Sequence, residues 1–283
     1  MATTFKYRVQ SGDTLSKIAA HFGVSLAAIE AANPQINPNL IFVGQLITVP
    51  SNNTTEPTPN PWTNPTPSTP SSEVEQKGYW DWNWHPKPLP AGTNMGLIFS
   101  GRTNVNDVLA RADRIYNRVT TPNKYLCFGG GGKAGSFHQT DLNAIDAAIQ
   151  ANKLSAYQGI AYDVEVGDSG LAAAFQASFA TAKAAGLKVV VTISHSCPFG
   201  IKDGVTLMHS FLEDGNIDFL SPQLYTTGKE KQNDYDYAGI KWTEFARAKA
   251  AVIPSIVTGA YYADAVTRFR EWGVELKGYI QWW

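Results

Sequence analysis

From residue 77 onward, short runs of β-branched and aromatic residues recur along the chain. They begin near Lys77, Asn94, Lys124, Gln158, Lys188, Ile217, Ala251 and Lys277. After the first interval the spacing is about 30 residues, enough for a strand, a crossover helix and the return to the next parallel strand. Between the runs, Val105, Val108, Ala112, Ile115 and Tyr116 fall at helical spacing, as do Leu142, Ile145, Ala148 and Ile149. The pattern continues through 171–180 and 265–272. Lys188-Val189-Val190-Val191-Thr192-Ile193 is almost wholly apolar, as a parallel strand buried on both faces requires. Eight strands alternating with helices predict an α/β fold, a TIM (β/α)8 barrel over 77–283. Two local features strain this reading. Only 17 residues separate Lys77 from Asn94, little room for a helix. Pro222 and Pro254 fall inside expected strands, where each removes a ladder donor.

Residues 1–50 carry a different, shorter pattern. Tyr7-Arg8-Val9 reads as a strand, followed by a Gly12-Asp13-Thr14 turn and cap, then Leu15, Ile18, Ala19 and Phe22 at helical spacing. Gly23 ends that helix, Ser25 caps a second with Leu26, Ile29 and Ala32 inside, and Asn33-Pro34 stops it. A turn-rich loop over 36–41 and a closing strand, Gln45-Leu46-Ile47-Thr48-Val49-Pro50, complete a small βααβ module. Residues 51–76 are rich in Pro, Thr, Ser and Asn and nearly lack aliphatics, so they predict an extended linker.

Composition narrows the ligand. With 23 basic and 24 acidic residues the formal net charge is −1, and only 17% of residues are charged against 12% aromatic. No bulk field draws such a chain to nucleic acid or anionic lipid, and no apolar run reaches a membrane span. A neutral polysaccharide suits it better. Two cysteines, Cys127 and Cys197, exclude a disulfide scaffold and a cysteine zinc site, and apolar surroundings predict buried free thiols. The histidines show no metal-ligand spacing, and His195 reads as a cleft-wall or structural residue.

The chemistry of a barrel sits at the C-terminal strand ends. In Gln158-Gly159-Ile160-Ala161-Tyr162-Asp163-Val164-Glu165, period-two alternation puts Gly159, Ala161, Asp163 and Glu165 on one face. The apolar alternates meet the helices, so the two acids face the barrel mouth. Such a pair shares a proton, and a protonated carboxyl is what a glycosidic oxygen needs in order to leave. Gly130-Gly131-Gly132-Lys133-Ala134-Gly135 fits a dinucleotide fingerprint, but the helix expected at once begins only near Thr140. Nucleotide binding is therefore rejected, and the glycines are expected to let substrate approach the backbone.

Two resemblances follow from these residues. The GDTL turn, the AAN at the second helix end and the G-Q-x-I-x-V-P finish make residues 7–50 similar to a LysM domain. That implies recognition of N-acetylglucosamine chains, chitin or peptidoglycan, between two loops: Gly12, Asp13 and Thr14 on one side, Pro38, Asn39, Leu40 and Ile41 on the other. A capping turn also accounts for Asp13 and Thr14. The barrel resembles glycoside hydrolase family 18, nearest its compact plant class III chitinases. Gly78-Tyr79-Trp80, Lys124 through Gly131, Ser196-Cys197-Pro198-Phe199, Gln223-Leu224-Tyr225 and Gly278 through Trp282 carry the likeness in order.

The resemblance implies a retaining, substrate-assisted chitinase. Glu165 would be general acid/base, Asp163 would orient the substrate's N-acetyl nucleophile and Tyr225 would bond the acetyl group. Trp282 would floor the sugar pocket, with Tyr79, Gly130 and Gln223 completing the substrate contacts. Of the family's D-x-x-D-x-D-x-E acids, the first two fall here on Gln158 and Ala161. With a methyl at 161, Asp163 is expected to point at Glu165 and keep it protonated, altering rate and pH optimum. A non-catalytic chitin-binding lectin, or a hydrolase of peptidoglycan or N-glycans, remains the alternative. No cofactor or metal is expected, nor nucleic acid or membrane as partner. The chain is expected to act as a monomer, outside the cell by its substrate and linker, although no leader peptide is visible at Met1.

Overall fold

The computed structural model describes residues 3–9, 13–38, 41, 45–51, 75–82 and 89–282. The chain forms two compact units, Met1–Glu73 and Val74–Trp283. Most of the expected linker lies outside the described residues.

In the first unit, β1 (Thr3–Arg8) pairs antiparallel with β2 (Leu46–Ser51), in register from Thr3↔Ser51 to Arg8↔Leu46. Helix α1 (Leu15–His21) starts where the Thr14 hydroxyl accepts the Lys17 amide, and α2 (Leu26–Ala32) where Ser25 accepts that of Ala28. Each cap satisfies an orphan donor of the first turn. Val9, Leu15, Ile18, Ala19, Ile29, Ile47 and Val49 form the core. Asn33 ties helix to sheet: buried to 2% exposure, its Nδ2 donates to the Ile29 and Thr48 carbonyls and its Oδ1 accepts the Thr48 amide, all at 2.7 Å.

The second unit is a closed barrel of parallel strands, as the spacing predicts. Its strands are β3 (Gln76–Trp82), β4 (Met95–Phe99), β5 (Asn123–Gly129), β6 (Gly159–Val164), β7 (Lys188–Ser194), β8 (Phe219–Gln223), β9 (Ala251–Val252), β10 (Ser255–Ile256) and β11 (Gly278–Gln281). β9 and β10 are two pieces of one stave, so the nine segments make eight, and the β8–β10 pairing closes the ring. Pro254 is the cause of the break. It carries no amide hydrogen, yet its carbonyl still accepts the Ile280 amide at 2.9 Å. Pro222 stays within β8, opposite Ile193.

Helices α3 (Val105–Ala112), α4 (Gln139–Gln150), α5 (Ala172–Ala184), α6 (Gly204–Glu213) and α7 (Tyr262–Glu271) cover the outside. The periodicity named four of the five, and α6 escaped it. In the short first connection, the described residues 89–94 form a turn and carry no helix. Between β8 and β9 the described chain has a 3-10 turn, Trp242–Arg247, instead of an α-helix. Trp242 compensates by stacking on Trp272 at 5.7 Å between ring centroids and meeting Phe269 edge-on.

Two cores result. Ile160, Tyr162 and Val164 of β6 join the layer between strands and helices. The barrel interior is filled by Trp80, Trp82, Met95, Leu97, Phe99, Tyr125, Cys127, Ala161, Val190, Ile253 and Ile280. Both cysteines are free and buried, as expected.

Asn33→Ala strips two buried carbonyls and an amide of their partners. At about 1–3 kcal/mol per buried group left unsatisfied, the first unit should lose roughly 2–4 kcal/mol. Calorimetry of the full chain checks this: the transition of the small unit should fall while that of the barrel stays in place.

Candidate active site

The site grows from the parity of one strand. Because Ala161 of β6 packs inward against the interior cluster, Asp163 does too, and Glu165 continues that face one step beyond the strand. The register then decides the neighbours. Asp163 lies opposite Gly129 of β5 and Thr192 of β7.

Asp163 is 1% exposed, and its Oδ1 accepts from the Thr192 hydroxyl and, at 3.1 Å, from Gln223 Nε2. The same amide nitrogen reaches Glu165 Oε1 at 3.3 Å. One neutral donor from β8 therefore holds both acids, which also bond each other, and the Gly131 amide supports Glu165. Neither carboxyl forms an ion pair with a described residue.

Burial, followed by the charge of Glu165, holds the Asp163 carboxyl well above the usual carboxylate range, while Thr192 and Gln223 pull the other way. Burial also raises Glu165, opposed by its bonds to Gln223, Asp163 and Gly131 and by the charge of His195. Both carboxyls are thus raised by burial, and the pair holds a proton between them.

Around the acids stand the other expected residues. Tyr225 is 5% exposed, its hydroxyl has no hydrogen-bond partner of ordinary geometry, and burial followed by the two acids pushes it well above a normal phenol. Its ring stacks on Trp282 at 5.6 Å, and Trp282 rests on Trp82 at 4.3 Å with Trp80 and Phe99 edge-on. Gln223 lies between the carboxyls, so it positions them, rather than facing an open pocket.

Gly130 has φ +138° and donates its amide to the Asp163 carbonyl at 2.9 Å. A Cβ there would meet Gly101 and Phe99 at 3.2 Å, so its lack of a side chain serves packing. Gly131 is the glycine that faces the acid, since a Cβ would come within 2.9 Å of Glu165 Oε2. A 3-10 turn follows at Lys133–Gly135 and α4 opens only at Gln139, unlike a dinucleotide loop.

Tyr79 is not brought to the mouth. It shares the outer face of β3 with Asp81, to which its hydroxyl donates at 3.0 Å, and Arg118 pairs with the same buried carboxylate. The one-residue alternation of β3 turns Trp80 and Trp82 inward instead. Thr192 and Ser255 were missed. Ser255 accepts Trp80 Nε1 at 3.2 Å and lies 3.1 Å from Ser221. Thr192 was legible as the one polar residue amid β7's apolar run, two positions after inward Val190.

In the small unit, Asp13 Oδ2 accepts the Tyr7 hydroxyl at 2.8 Å and Thr14 caps α1, so both are engaged within the module. Pro38 is exposed and Ile41 packs against the core, while Gly12, Asn39 and Leu40 lie outside the described residues.

Comparison with known proteins bears on the two units differently. Residues 7–50 match the LysM domain family. An autolysin of Enterococcus faecalis is 48% identical over 64 residues, 20% of this chain and 8% of its own. A secreted LysM effector of Passalora fulva is 53% identical over 45 residues, 16% of this chain and 20% of its own. This chain therefore spans only a small part of the curated relatives it matches.

Among solved structures, the spore cortex-lytic enzyme SleL of Bacillus megaterium covers 88% of this chain and 62% of its own at 16% identity, with a TM-score of 0.37. A chitinase of Chromobacterium violaceum covers 63% and 68% at 12% identity and 0.38, and a 3-dehydroquinate dehydratase of Geobacillus kaustophilus 67% and 72% at 11% and 0.39. Different chemistries at equal, low similarity carry no argument about activity. The molecule is a LysM domain followed by a TIM-like α/β barrel.

The raised Asp163 pKa has a consequence for stability. The folded state holds this proton more tightly than the unfolded chain, so the stabilisation is present at low pH and is lost as pH rises through the folded value. Asp163→Asn removes the cost of ionisation and keeps the shape. Its melting temperature should exceed wild type at about pH 8, by roughly 2–4 °C for each kcal/mol relieved, and the gain should vanish toward about pH 4. Equal melting temperatures at both ends of a calorimetric series would show that Asp163 ionises without cost.

Proposed function

We propose that this protein is a glycoside hydrolase acting on β-1,4-linked N-acetylglucosamine polymers, a chitinase of the family 18 type working outside the cell, with the LysM module holding it on the polymer. The observation that carries the reading is the acid pair: two carboxyls from one strand end, joined through a single amide nitrogen, beside an aromatic floor and a buried tyrosine hydroxyl.

The geometry favours a nucleophile supplied by the substrate. Inverting glycosidases need their carboxyls roughly 6.5–9.5 Å apart to fit a water, and those with a carboxylate nucleophile about 5–5.5 Å apart across the sugar. Carboxyls that bond each other cannot flank a ring from opposite sides. In the proposed reaction, Glu165 gives its proton to the glycosidic oxygen as the C1–O bond breaks. The carbonyl oxygen of the 2-acetamido group then bonds C1 from the other face and closes an oxazolinium ring. Asp163 accepts the acetamido N–H, whose positive charge grows as the ring forms.

Tyr225 donates to the acetyl oxygen. That hydroxyl is buried and makes no bond of ordinary geometry within the protein, so the acetyl group would give it a better partner. Glu165, now ionised, takes a proton from water as that water attacks C1 and reopens the ring. Two displacements retain the β configuration. Trp282 offers the apolar sugar face a stacking surface.

Ala161, a buried methyl where the family pattern has an acid, favours a second reading, a chitin-binding lectin on the same frame. Digestion of chitin hexamer followed by mass spectrometry decides between them, with peptidoglycan and an N-glycan in parallel. Wild type should release shorter oligomers, and Glu165→Gln should cut at least about 100-fold more slowly while still binding, the usual loss for a missing general acid. Binding with no new reducing ends in wild type establishes the lectin. Cleavage of peptidoglycan or the N-glycan alone moves the substrate, not the site.

A further inference from the structure

Thr192 lies between Val191 and Ile193 of β7, opposite Asp163 of β6 on one side and Ser221 of β8 on the other. It is fully buried, so its hydroxyl needs a partner. Ser221 does not serve, because its own hydroxyl turns to Ser255 at 3.1 Å. The single proton of the Thr192 hydroxyl goes to Asp163 Oδ1. β-Branching restricts the first side-chain torsion of threonine, so the strand itself aims this donor.

Asp163 Oδ1 has a second donor in the Gln223 amide nitrogen at 3.1 Å, which is divided between this oxygen and Glu165 Oε1 at 3.3 Å. Two donors on one oxygen settle the chemistry of the other. An oxygen that accepts two hydrogen bonds keeps the carbonyl character of the carboxyl, and an acidic hydrogen on it would collide with both donors. The proton that the pair holds between them therefore enters and leaves Asp163 at Oδ2.

The other groups around Asp163 leave that arrangement alone. From β5, Gly129 stands opposite without a side chain, and burial followed by the two acids pushes the Cys127 thiol well above its usual value. The buried Tyr225 phenol is pushed up in the same way and stays neutral. Ala161, on the same inward face, brings only a methyl. Glu165 is the neighbouring acid, and His195 beyond it pairs with Asp234. Among the described residues, Thr192 is the side-chain donor that belongs to Asp163 alone.

We propose that Thr192 is a positioning residue for the acid pair: by occupying Asp163 Oδ1 it leaves Oδ2 as the oxygen that both exchanges the proton with Glu165 and receives the substrate's acetamido N–H. This role rests on the hydrolase reading for its purpose, while the bond to Asp163 stands without it. An oxygen that carries a proton is a poor acceptor. The arriving N–H is therefore accepted once the Asp163 O–H bond has broken and a Glu165 O–H bond has formed. The sugar that supplies the nucleophile thereby loads the acid that must act on it.

Two substitutions separate the hydroxyl from the bulk of the side chain. Thr192→Val keeps the shape and loses the donor, whereas Thr192→Ser keeps the donor and loses a methyl. Asp163 can be followed by carbon NMR in the folded full chain labelled at its aspartates, its signal assigned by its loss in Asp163→Asn. In Thr192→Val it should titrate about half a pH unit higher or more, because the lost donor favoured the ionised carboxyl. On chitin hexamer, kcat should fall at least about tenfold while KM stays within about threefold. Thr192→Ser should restore both the titration and kcat. A side chain that only fills the barrel predicts the reverse order, with Thr192→Val near wild type and Thr192→Ser impaired.

An unmoved Asp163 titration in folded Thr192→Val, or an equal shift in Thr192→Ser, overturns the proposal. Should Thr192→Val not fold, Thr192→Ala against Thr192→Ser makes the same comparison, and equal titrations there overturn it as well. If wild type cleaves no glycan at all, the hydrolase reading falls, while the titration still decides what Thr192 does to Asp163.

Discussion

Burying two carboxyls side by side at a strand end costs several kcal/mol per charge unless something answers it. Here the answer comes from neutral donors: the Thr192 hydroxyl, the Gln223 amide and the backbone of Gly131. A lysine or arginine in their place would have offset the cost more fully and left two permanent anions. Neutral hydrogen bonds hold the geometry and leave the proton count free to change, which acid–base chemistry needs.

The rest of the interior is arranged below this layer. Aromatic and aliphatic side chains fill the lower barrel, and a short polar file of Trp80, Ser255 and Ser221 crosses it beneath the acids. A dry, packed floor strengthens every electrostatic effect above it. It also brings indole and phenol rings to the rim, where Tyr225 and Trp282 stack on each other at the same end as the acid pair. Outside the barrel the buried Asp81–Arg118 pair, which recruits Tyr79, has a structural office only.

Much of this was legible in the chain. Alternation in β6 put Asp163 and Glu165 on the inward face because the bulky apolar set Ile160, Tyr162 and Val164 claims the helix side and leaves small Ala161 inside. The caps at Thr14 and Ser25 were legible because short polar side chains at helix starts have one good use. Tyr79 was misplaced because aromatic neighbours in β3 are equally apolar on both faces, so composition could not tell which of Tyr79 and Trp80 turned inward. Helix α6 was missed although Leu207, Met208, Phe211 and Leu212 recur one turn apart, a helical spacing that was legible. How the acid pair divides its proton depends on depth and on partners from β7 and β8, which sequence distance hides.

The interruption at Pro254 reaches further than a local irregularity. Beyond it the sixth and seventh staves resume contact at a single matched pair, Ser255↔Gln223. Gln223 is also the residue whose amide grips both acids. The seam that shuts the cylinder and the clasp that sets the chemistry are therefore one joint, and any breathing of the wall at that point is transmitted to the reactive groups without an intermediary.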